Sequence, residues 1–356
     1  MKAMIMAAGV GSRLMPLTMD VPKPMIPMAN QPLMENTVIL LRENGFDEII
    51  CNLHYHADQI SEYFGDGSKF GVSMHYSREE ELMGTAGGVK RCEGFLDETF
   101  VIVSGDALTD VNLRNLYQQH KSKGALATIA LKEVEEVQHF GVVITDTDGR
   151  IERFQEKPRP EEALSNNANT GIYIFEPEIF KYIPSRQFYD FGKQVFPSLV
   201  KMKAPFYGVE IDQYWCDVGN LNTYRQAHAD ILEGKVYMQG LDGAFQKKED
   251  RCVLMGTDVQ LGKQVVLKGN VVIGDRCRIE DGVILEDAVL WNDSVLEKGS
   301  QIRRAVVGSY CRIGEKCNVS SASVIASACI LPADTAVNSG SRVFRSSGGE
   351  LQVEEG

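Results

Sequence analysis

Residues 253–277 read VLMGTDVQLGKQVVLKGNVVIGDRC and place an aliphatic residue or cysteine at every sixth position. Stepping by six from Val253 to Val343 meets an apolar residue at fifteen of sixteen positions, with Gln301 as the exception. An α-helix, with a period of about 3.6 residues, and an amphipathic strand, with a period of about two, cannot keep this register. A parallel β-helix keeps it, because each flat side of a coil turns equivalent residues inward. The stretch therefore predicts a hexapeptide-repeat β-helix over residues 253–345.

A second pattern inside the repeat is an aliphatic residue followed by glycine. It occurs at Ile273-Gly274 and again at Val307-Gly308, but these copies stand in different phases of the six-residue count. The phase must slip between Trp291 and Val307, which predicts one irregular coil there.

Residues 1–235 show a different pattern, in which strand-like apolar runs alternate with helical periods. Such alternation predicts an α/β domain with a mostly parallel sheet. Ligands of these sheets bind beyond the carboxyl ends of the strands, so the loops there are the places to search for chemistry. The predicted strands are Ala3–Ala8, Glu48–Leu53, Phe100–Ser104, Ala125–Leu131 and Thr170–Phe175, and the predicted helices are Glu35–Asn44, Ala57–Phe64, Leu113–Lys123 and Leu221–Glu233.

Four segments follow from these patterns: an α/β domain at 1–235, a linker at 236–252, the β-helix at 253–345 and an acidic flexible tail at 346–356. The 356 residues carry a formal net charge of −12. Residues 1–252 hold 26 bases and 36 acids, whereas residues 253–345 hold 11 and 10. This acidity excludes a general nucleic-acid-binding surface, which needs a basic face. It does not exclude a focused anion site, because residues 1–32 contain three bases and one acid.

Cysteine usage and hydropathy indicate a reduced, cytoplasmic protein without a membrane segment. No apolar run approaches the roughly 18 residues of a membrane helix. The eight cysteines include no C-x-x-C pair. Their spacing predicts packing in the β-helix and not metal ligation.

The first loop follows a buried strand and contains Gly9 and Gly11. Glycines let the backbone approach a ligand closely, and their N–H groups can bind phosphate oxygens. Arg13 and Lys23 add positive charge beyond the loop. A dinucleotide fingerprint would need glycine where Leu14 stands, and no Gly-Lys-Ser/Thr of a Walker A loop follows. A plain strand-to-helix turn is the alternative interpretation, which the flanking bases disfavour.

Three further residues stand where strands or apolar stretches end. Asp106 closes a buried strand, where a carboxylate needs a cation or hydrogen-bond donors. Asp217 lies in Trp-Cys-Asp-Val-Gly, and the N-cap of a following helix explains it equally well. Lys157, in Glu-Lys-Pro, would by itself be a solvated loop residue. Mg²⁺ typically takes one or two carboxylates, so the aspartates are candidate magnesium ligands.

Seven motifs follow one another along the chain: G-x-G-x-R-L-x-P-L-T (9–18), P-K-P (22–24), G-T-A-G (84–87), G-D (105–106), E-K-P (156–158), N-T-G (169–171) and W-x-D-V-G (215–219). Their order resembles that of the sugar-nucleotide pyrophosphorylases, which are nucleotidyltransferases of sugar 1-phosphates. Within that family the chain looks most like the mannose-1-phosphate guanylyltransferases. The resemblance spans nearly the whole chain and implies a Rossmann-like (GT-A-type) domain followed by a left-handed β-helix. One departure is Gln155, where the family often has valine.

The resemblance also implies roles for individual residues. Arg13, Lys23, Asp106, Lys157 and Asp217 would be catalytic, with Mg²⁺ held by Asp106 and Asp217. The nucleotide would contact Ala7, Ala8, Gly9, Gly11, Ser12, Arg13, Gly84 and Thr85. The sugar 1-phosphate would contact Gly141, Glu156, Lys157, Asn169 and Thr170.

The reaction expected from this set joins GTP and mannose 1-phosphate into GDP-mannose and pyrophosphate. Glucose 1-phosphate or heptose 1-phosphate with another nucleoside triphosphate is the alternative within the enzyme class. A catalytically silent regulatory subunit of the same fold is the alternative outside it. A hexapeptide acyltransferase is disfavoured because no histidine follows His228. The flat sides of the β-helix predict a homo-oligomer.

Overall fold

The computed structural model describes residues 1–241 and 245–355. The chain folds into two compact units. The first comprises Met1–Val10 and Met34–Asp217, and the second comprises Gly11–Leu33 and Val218–Gly356. Residues 11–33 thus group with the C-terminal residues, whereas the sequence predicts one continuous domain over 1–235.

The first unit is built on a nine-stranded mixed sheet with the strand order β10-β9-β11-β6-β1-β4-β5, and β8 lies between β11 and β12. Strands β6, β1, β4 and β5 pair in parallel. The pairs formed by β11 and the β9–β10 hairpin are antiparallel. Before residue 218 the strands are β1 (Lys2–Met6), β2 (Pro27–Met28), β3 (Gln31–Pro32), β4 (Glu48–Leu53), β5 (Ser73–Arg78), β6 (Phe100–Ser104), β7 (Ala107–Thr109), β8 (Ala127–Glu133), β9 (Gly141–Thr145), β10 (Ile151–Glu156), β11 (Asn167–Phe175), β12 (Phe206–Glu210) and β13 (Trp215–Asp217).

Six α-helices lie among the described residues, and the sequence predicts four of them. The two that it does not predict, α3 and α5, are short. Helix α6 begins at a capping box of Asn220 with Thr223 and ends at Gly234, whose φ of 80° suits glycine. The helices are α1 (Leu33–Glu43), α2 (Ala57–Phe64), α3 (Gly84–Arg91), α4 (Leu113–Ser122), α5 (Phe196–Lys201) and α6 (Leu221–Glu233).

The core of the first unit packs aromatic side chains against the sheet. Phe175, Phe191 and Phe196 are each at most 1% exposed. Their rings lie 5.3–6.5 Å apart, the spacing at which aromatic pairs attract beyond their area burial. This cluster fixes β11 against the segment that leads into α5.

The second unit contains the predicted parallel β-helix, whose coils stack into three parallel ladders. Equivalent strands of successive coils are 17 or 18 residues apart, as in Val253 to Val271 and Val272 to Val289. The strands are β14 (Phe245–Lys248), β15 (Arg251–Met255), β16 (Gln260–Leu261), β17 (Val266–Ile273), β18 (Arg278–Ile279), β19 (Ile284–Glu286), β20 (Val289–Leu290), β21 (Val295–Leu296), β22 (Gln301–Arg303), β23 (Val306–Val307), β24 (Arg312–Ile313), β25 (Asn318–Val319), β26 (Val324–Ile325), β27 (Ile330–Leu331), β28 (Ala336–Val337), β29 (Arg342–Arg345) and β30 (Leu351–Glu354).

The buried positions correct the predicted register of the repeat. Two rows of side chains point inward. Each row advances by six residues, except at two places where the step is five residues, just before Leu290 and just before Val307. The predicted single slip between Trp291 and Val307 is therefore two slips, the first of which precedes Trp291. Because the inward rows are two residues apart, two slips carry the six-residue count from one row to the other. Gln301 breaks the apolar series because it lies between Ser300 and Ile302, which are both fully buried.

The predicted linker and tail contain regular structure. Strand β14, inside the expected linker, pairs antiparallel with β15. Strand β30, inside the expected flexible tail, pairs antiparallel with β29, with Val343 opposite Val353. The backbone of β29 would otherwise be an open edge, and β30 satisfies its hydrogen-bonding groups.

Among the described residues the eight cysteines form no disulfide, and seven of them are buried. Burial raises the pKa of the Cys51, Cys311 and Cys329 thiols, as expected for packing residues. Within residues 1–241 and 245–355, no helix is long and apolar enough to cross a membrane.

Candidate active site

Two of the predicted residues, Asp106 and Asp217, stand next to each other at a pair of short strands. Strand β13 pairs antiparallel with β7, and the register sets Asp217 opposite Ala107. Since Ala107 directly follows Asp106, the backbones of the two aspartates are neighbours. The Ser104 hydroxyl donates a hydrogen bond to the Asp106 carboxylate.

This aspartate pair fits magnesium better than it fits a metal that needs more protein ligands. Both aspartates are partly exposed. Among the described residues, no group of three or more His, Cys, Asp or Glu side chains could hold a metal ion. Mg²⁺ is commonly bound by one or two carboxylates together with water and phosphate oxygens. The residues present therefore suit this ion.

The β9–β10 hairpin gathers Gly141, Glu156 and Lys157. The register sets Glu156 opposite Gly141, and a Cβ added to Gly141 would lie 3.0 Å from Glu156 Oε2. Lys157 has a φ of 47°, and its N–H donates to the Phe140 carbonyl at 3.0 Å. Desolvation raises the pKa of Glu156, and the charge of Lys157 opposes this shift. The hairpin thus holds an exposed ammonium beside a carboxylate.

Asp190, which the sequence did not single out, connects this hairpin with the start of α3. The Thr85 hydroxyl donates to Asp190 Oδ2 at 3.0 Å, and Asp190 Oδ1 accepts from the Gly192 N–H at 2.9 Å. A Cβ on Gly192 would lie 2.5 Å from Glu156 Oε2. The predicted base-binding residue Thr85 and the predicted sugar-binding residue Glu156 are therefore joined through Asp190 and Gly192.

Gly84 is the first residue of α3 and has a φ of 74°, a conformation that glycine adopts without strain. A Cβ at this position would lie 2.5 Å from the Tyr189 carbonyl oxygen. Glycine is therefore required here by packing within the first unit. This requirement is independent of any role in base recognition.

Asn169 and Thr170 lie on β11 and differ in what they offer a ligand. Asn169 is partly exposed, and its amide donates to the Tyr173 hydroxyl at 3.1 Å. Thr170 is 2% exposed, and its hydroxyl donates to the Ala130 carbonyl at 2.7 Å. The expectation that Thr170 faces sugar hydroxyls does not fit this burial. Its carbonyl accepts from Trp215 Nε1 at 3.0 Å, so Thr170 positions the strand that carries Asp217.

A buried network that the sequence did not predict ties the first loop to α3. The Ala7 N–H donates to Asn52 Oδ1 at 3.0 Å, and Asn52 Nδ2 donates to Glu79 Oε1 at 2.7 Å. Glu79 Oε2 accepts from the Met83 N–H at 3.0 Å. Glu79 is only 5% exposed, so its carboxylate belongs to the interior of the first unit. The sequence signal for Glu79 as a buried hydrogen-bond acceptor is its position directly after strand β5.

The remaining residues of the glycine loop divide between the units. Ala8 is buried in the first unit, and a Cβ on Gly9 would meet no atom within 4 Å. In the second unit, the Gly11 carbonyl accepts from the Thr18 hydroxyl at 2.9 Å. A Cβ on Gly11 would lie 2.9 Å from the Lys23 Cβ. Gly11 therefore packs directly on the lysine.

Ser12 and Arg13 open a short 3₁₀ helix of the second unit, Ser12–Leu14, and both are exposed. Lys23 is 5% exposed, which is rare for a lysine. Two positive charges thus follow the glycines in sequence, one open to solvent and one enclosed. Such charges suit an anionic ligand.

Comparison with protein families gives two matches. The family described as nucleotidyl transferase matches residues 2–234. The domain described as the EIF2B subunit epsilon LbH domain, a left-handed β-helix, matches residues 240–337.

Several known proteins are similar to about two thirds of the chain. The UTP–glucose-1-phosphate uridylyltransferase of Synechocystis sp. is 48% identical over 250 residues, which cover 66% of this chain and 64% of that protein. The mannose-1-phosphate guanylyltransferase of Mycobacterium tuberculosis is 32% identical over 234 residues, 65% of each chain. The D-glycero-alpha-D-manno-heptose 1-phosphate guanylyltransferase of Aneurinibacillus thermoaerophilus is 34% identical over 232 residues, 65% of this chain and 98% of that protein. The match thus spans less than two thirds of the Synechocystis and Mycobacterium proteins.

A solved structure has the same fold as the first part of the chain. It is a putative glucose-1-phosphate thymidylyltransferase from Bacillus anthracis in complex with a sucrose, with a TM-score of 0.59 and 25% identity. The similarity covers 64% of this chain and 93% of that one.

Proposed function

The chain belongs to the nucleotidyl transferase family, and from that premise we propose that it transfers a nucleotidyl group from a nucleoside triphosphate to a sugar 1-phosphate. The observation that carries the proposal is the β7–β13 register, which makes Asp106 and Asp217 neighbours. Both residues lie inside the matched range, at the ends of strands where ligands of α/β sheets bind.

The proposed site divides the two substrates between groups of residues. Gly9, Gly11, Ser12, Arg13 and Lys23 would bind the triphosphate, and Lys157 the phosphate of the sugar. Gly141, Glu156 and Asn169 would contact the sugar, with Thr170 as a positioning residue. Ala7, Ala8 and Gly84 would border the base, and Asp190 would orient Thr85. Asp106 and Asp217 would hold Mg²⁺, which supplies charge neutralisation at the phosphates when bound.

The chemistry assigned to these residues is positioning and charge neutralisation. A phosphate oxygen of the sugar 1-phosphate is ionised near neutral pH and attacks the α-phosphorus in line. The new P–O bond forms as the bond to the pyrophosphate breaks, so no side-chain nucleophile is needed. Positive side chains hold two polyanions together that would otherwise repel each other. The ammonium of Lys157 and the guanidinium of Arg13 are exposed and suit this task.

Two substrate pairs are candidates, and they rest on different support. The motifs resemble those of enzymes that use GTP and mannose 1-phosphate. The 48% identity to a protein named as a uridylyltransferase of glucose 1-phosphate exceeds the 32–34% to the two guanylyltransferases. The identity therefore favours UTP with glucose 1-phosphate as the physiological pair.

A pyrophosphate-release panel tests the proposal. UTP, GTP, dTTP and ATP are each combined with glucose 1-phosphate, mannose 1-phosphate and a heptose 1-phosphate in the presence of Mg²⁺. We expect release with at least one pair, and Asp217→Asn should reduce it by orders of magnitude while the thermal unfolding curve stays unchanged. Asp212→Asn, an exposed aspartate of the same segment, is the control and should keep full activity. Release with no pair would favour a silent regulatory subunit.

We further propose that the chain acts as a cytoplasmic homo-oligomer assembled through the β-helix. The eight cysteines, which form no disulfide among the described residues, suit a reducing compartment. The exposed Tyr310 and Ile330 place apolar area on the outside of the coils. Light scattering at several protein concentrations measures the mass, and a monomer throughout would contradict the assembly.

A further inference from the structure

The ammonium group of Lys132 binds the segment that leads into the strand carrying Asp217. Lys132 lies on β8 and is partly buried. Its Nζ donates to the carbonyls of Ile211, Asp212 and Gln213 at 3.3, 3.0 and 2.9 Å. An ammonium has three N–H donors and no acceptor. The three carbonyls therefore match its full donor capacity.

These three carbonyls belong to consecutive residues and converge on one nitrogen. Carbonyl oxygens carry partial negative charge, so they repel one another at such a place unless a cation lies between them. Residues 211–214 connect β12 with β13 and belong to neither a helix nor a strand. Carbonyls outside secondary structure take their hydrogen bonds from side chains or water. Here a charged side chain supplies them, and charge-assisted hydrogen bonds are stronger than neutral ones.

The segment held by Lys132 continues directly into the proposed active site. The Tyr214 N–H donates to Asp110 Oδ1 at 2.9 Å, and the Tyr214 carbonyl accepts from the Thr109 hydroxyl at 2.7 Å. Strand β13 follows at once, and it is three residues long. Its last residue is Asp217. A ladder this short fixes little by itself, so the position of Asp217 depends on the segment before it.

Strand β8 gives Lys132 a firm base. It lies between β11 and β12 in the sheet, and its residues 127–131 are buried. The β8–β11 register sets Lys132 opposite Ala168, the neighbour of Asn169. Side chains carried by strands hold their positions more precisely than those carried by loops. The lysine thus ties a loop to the buried sheet of the first unit.

We propose that Lys132 is a positioning residue for the proposed nucleotidyl transfer, and that it acts by drawing the three carbonyls together and so setting the position of Asp217. The inference rests on the proposed function, since Asp217 is a proposed magnesium ligand. Lys132 itself takes no part in making or breaking bonds. Misplacing a catalytic group by about 1 Å can reduce the rate about 100-fold. Loss of the ammonium therefore lowers kcat although Asp217 is still present.

The test removes the ammonium and then returns it as a small molecule. Lys132→Ala lacks the atoms from Cγ to Nζ, and 1-propylammonium has the same three carbons and nitrogen. Pyrophosphate release is measured with the most active substrate pair. We expect kcat to fall by about 10- to 100-fold and to recover severalfold, in a saturable manner, with 1-propylammonium. 1-Propanol, which lacks the charge, and tetramethylammonium, which lacks the N–H donors, should not restore it.

Two further variants and hydrogen exchange make the test specific. Lys132→Met fills the same space without a charge, so it should show the loss of kcat but no rescue. Circular dichroism verifies folding, and Lys132→Met carries the comparisons if Lys132→Ala does not fold. Lys123→Ala is the matched control, because its ammonium donates to the Asp148 carbonyl in the turn of the β9–β10 hairpin, and it should behave as the parent protein. Hydrogen exchange of residues 211–217, measured without substrate or metal, should accelerate in both Lys132 variants and slow again with 1-propylammonium in Lys132→Ala.

Three results would overturn the proposal. The Lys132 variants could match Lys123→Ala in kcat and in exchange, so that the carbonyls hold their places without the ammonium. 1-Propanol could restore Lys132→Ala as well as 1-propylammonium does, which would assign the effect to filled space and not to charge. Activity could be lost with no change in the exchange of residues 211–217, which would place the role of Lys132 elsewhere. If the parent protein releases no pyrophosphate with any pair, the proposed function fails, whereas the exchange data still decide whether Lys132 holds this segment.

Discussion

Replacing Tyr224 with phenylalanine removes one hydroxyl that serves two buried groups of the second unit. The hydroxyl donates to the Pro27 carbonyl at 2.5 Å and accepts from Trp291 Nε1 at 2.9 Å. Tyr224 and Trp291 are at most 1% exposed, so water cannot replace the lost partner. The same burial raises the pKa of the Tyr224 phenol, which keeps it protonated as a donor.

The magnitude follows from the two groups that are left unpaired. Each buried donor or acceptor without a partner costs about 1–3 kcal/mol. The Pro27 carbonyl is assigned the low end of this range, about 1 kcal/mol, and the Trp291 N–H about 2–3 kcal/mol. Together they lower the free energy of unfolding of the second unit by about 3–4 kcal/mol. For a domain of this size, about 1 kcal/mol changes the midpoint by roughly 2–4 °C. We therefore expect Tyr224→Phe to lower the melting temperature by about 6–16 °C.

Tryptophan fluorescence measures this effect in the correct unit. The chain has two tryptophans, so in a Trp215→Phe background the emission reports Trp291 alone. Tyr310→Phe is the control, because Tyr310 is 67% exposed, and it should melt with the parent. If Tyr224→Phe and Tyr310→Phe melt together, the hydroxyl does not join Pro27 to Trp291 and the reasoning fails.

Two further substitutions test the buried polar groups. In Gly88→Ala the new Cβ would lie 2.6 Å from Glu79 Oε1, so we expect a loss of about 2–4 kcal/mol in urea unfolding. Gly94→Ala, whose Cβ would meet nothing within 4 Å, should be neutral, and equal stability of the two would contradict the network. For His228 the folded pKa is lowered to about 3, so the unfolded chain binds a proton first as pH falls below about 6.5. The free energy of unfolding should therefore fall with pH between about 6.5 and 3, by up to about 1.4 kcal/mol per unit from this group. His228→Phe should flatten this slope and exposed His139→Gln should not, whereas parallel slopes for all three proteins would refute the assignment.

The fold class was predictable because both halves carry long periodic signals. The sixfold series identified the β-helix, and the alternation of strands and helices identified the mixed sheet. The number and position of the slips were not predictable from the apolar series. Most positions of both inward rows are apolar, so Val307 continues the count from Val253 although it belongs to the other row. Only burial separates the rows.

The individual residues of the candidate site were predictable in sequence but not in arrangement. Asp190 became visible only when the fold brought it to Thr85, 105 positions away. Thr170 stands in a motif, yet its hydroxyl is committed to the Ala130 carbonyl. A motif specifies which residue types stand near a ligand, and it does not say which of them hold the backbone in place.

The irregularity of the repeat and the cavity of about 350 Å³ between α6 and the β-helix have one structural origin. Each five-residue step shortens a corner of the β-helix. Asp287 and Arg304 stand at the two shortened corners, and both have a left-handed backbone conformation with a φ of 47°. The Arg304 N–H bonds the Glu286 carbonyl at 2.7 Å, so the corners stack. Arg225 of α6 then bonds the Arg304 carbonyl, and the cavity lies where these elements meet. A coil that kept strict six-residue steps would move every later residue by one position, so residue 304 would no longer occupy this corner. The slips that obscure the register are therefore what places Arg304 in the lining of this cavity.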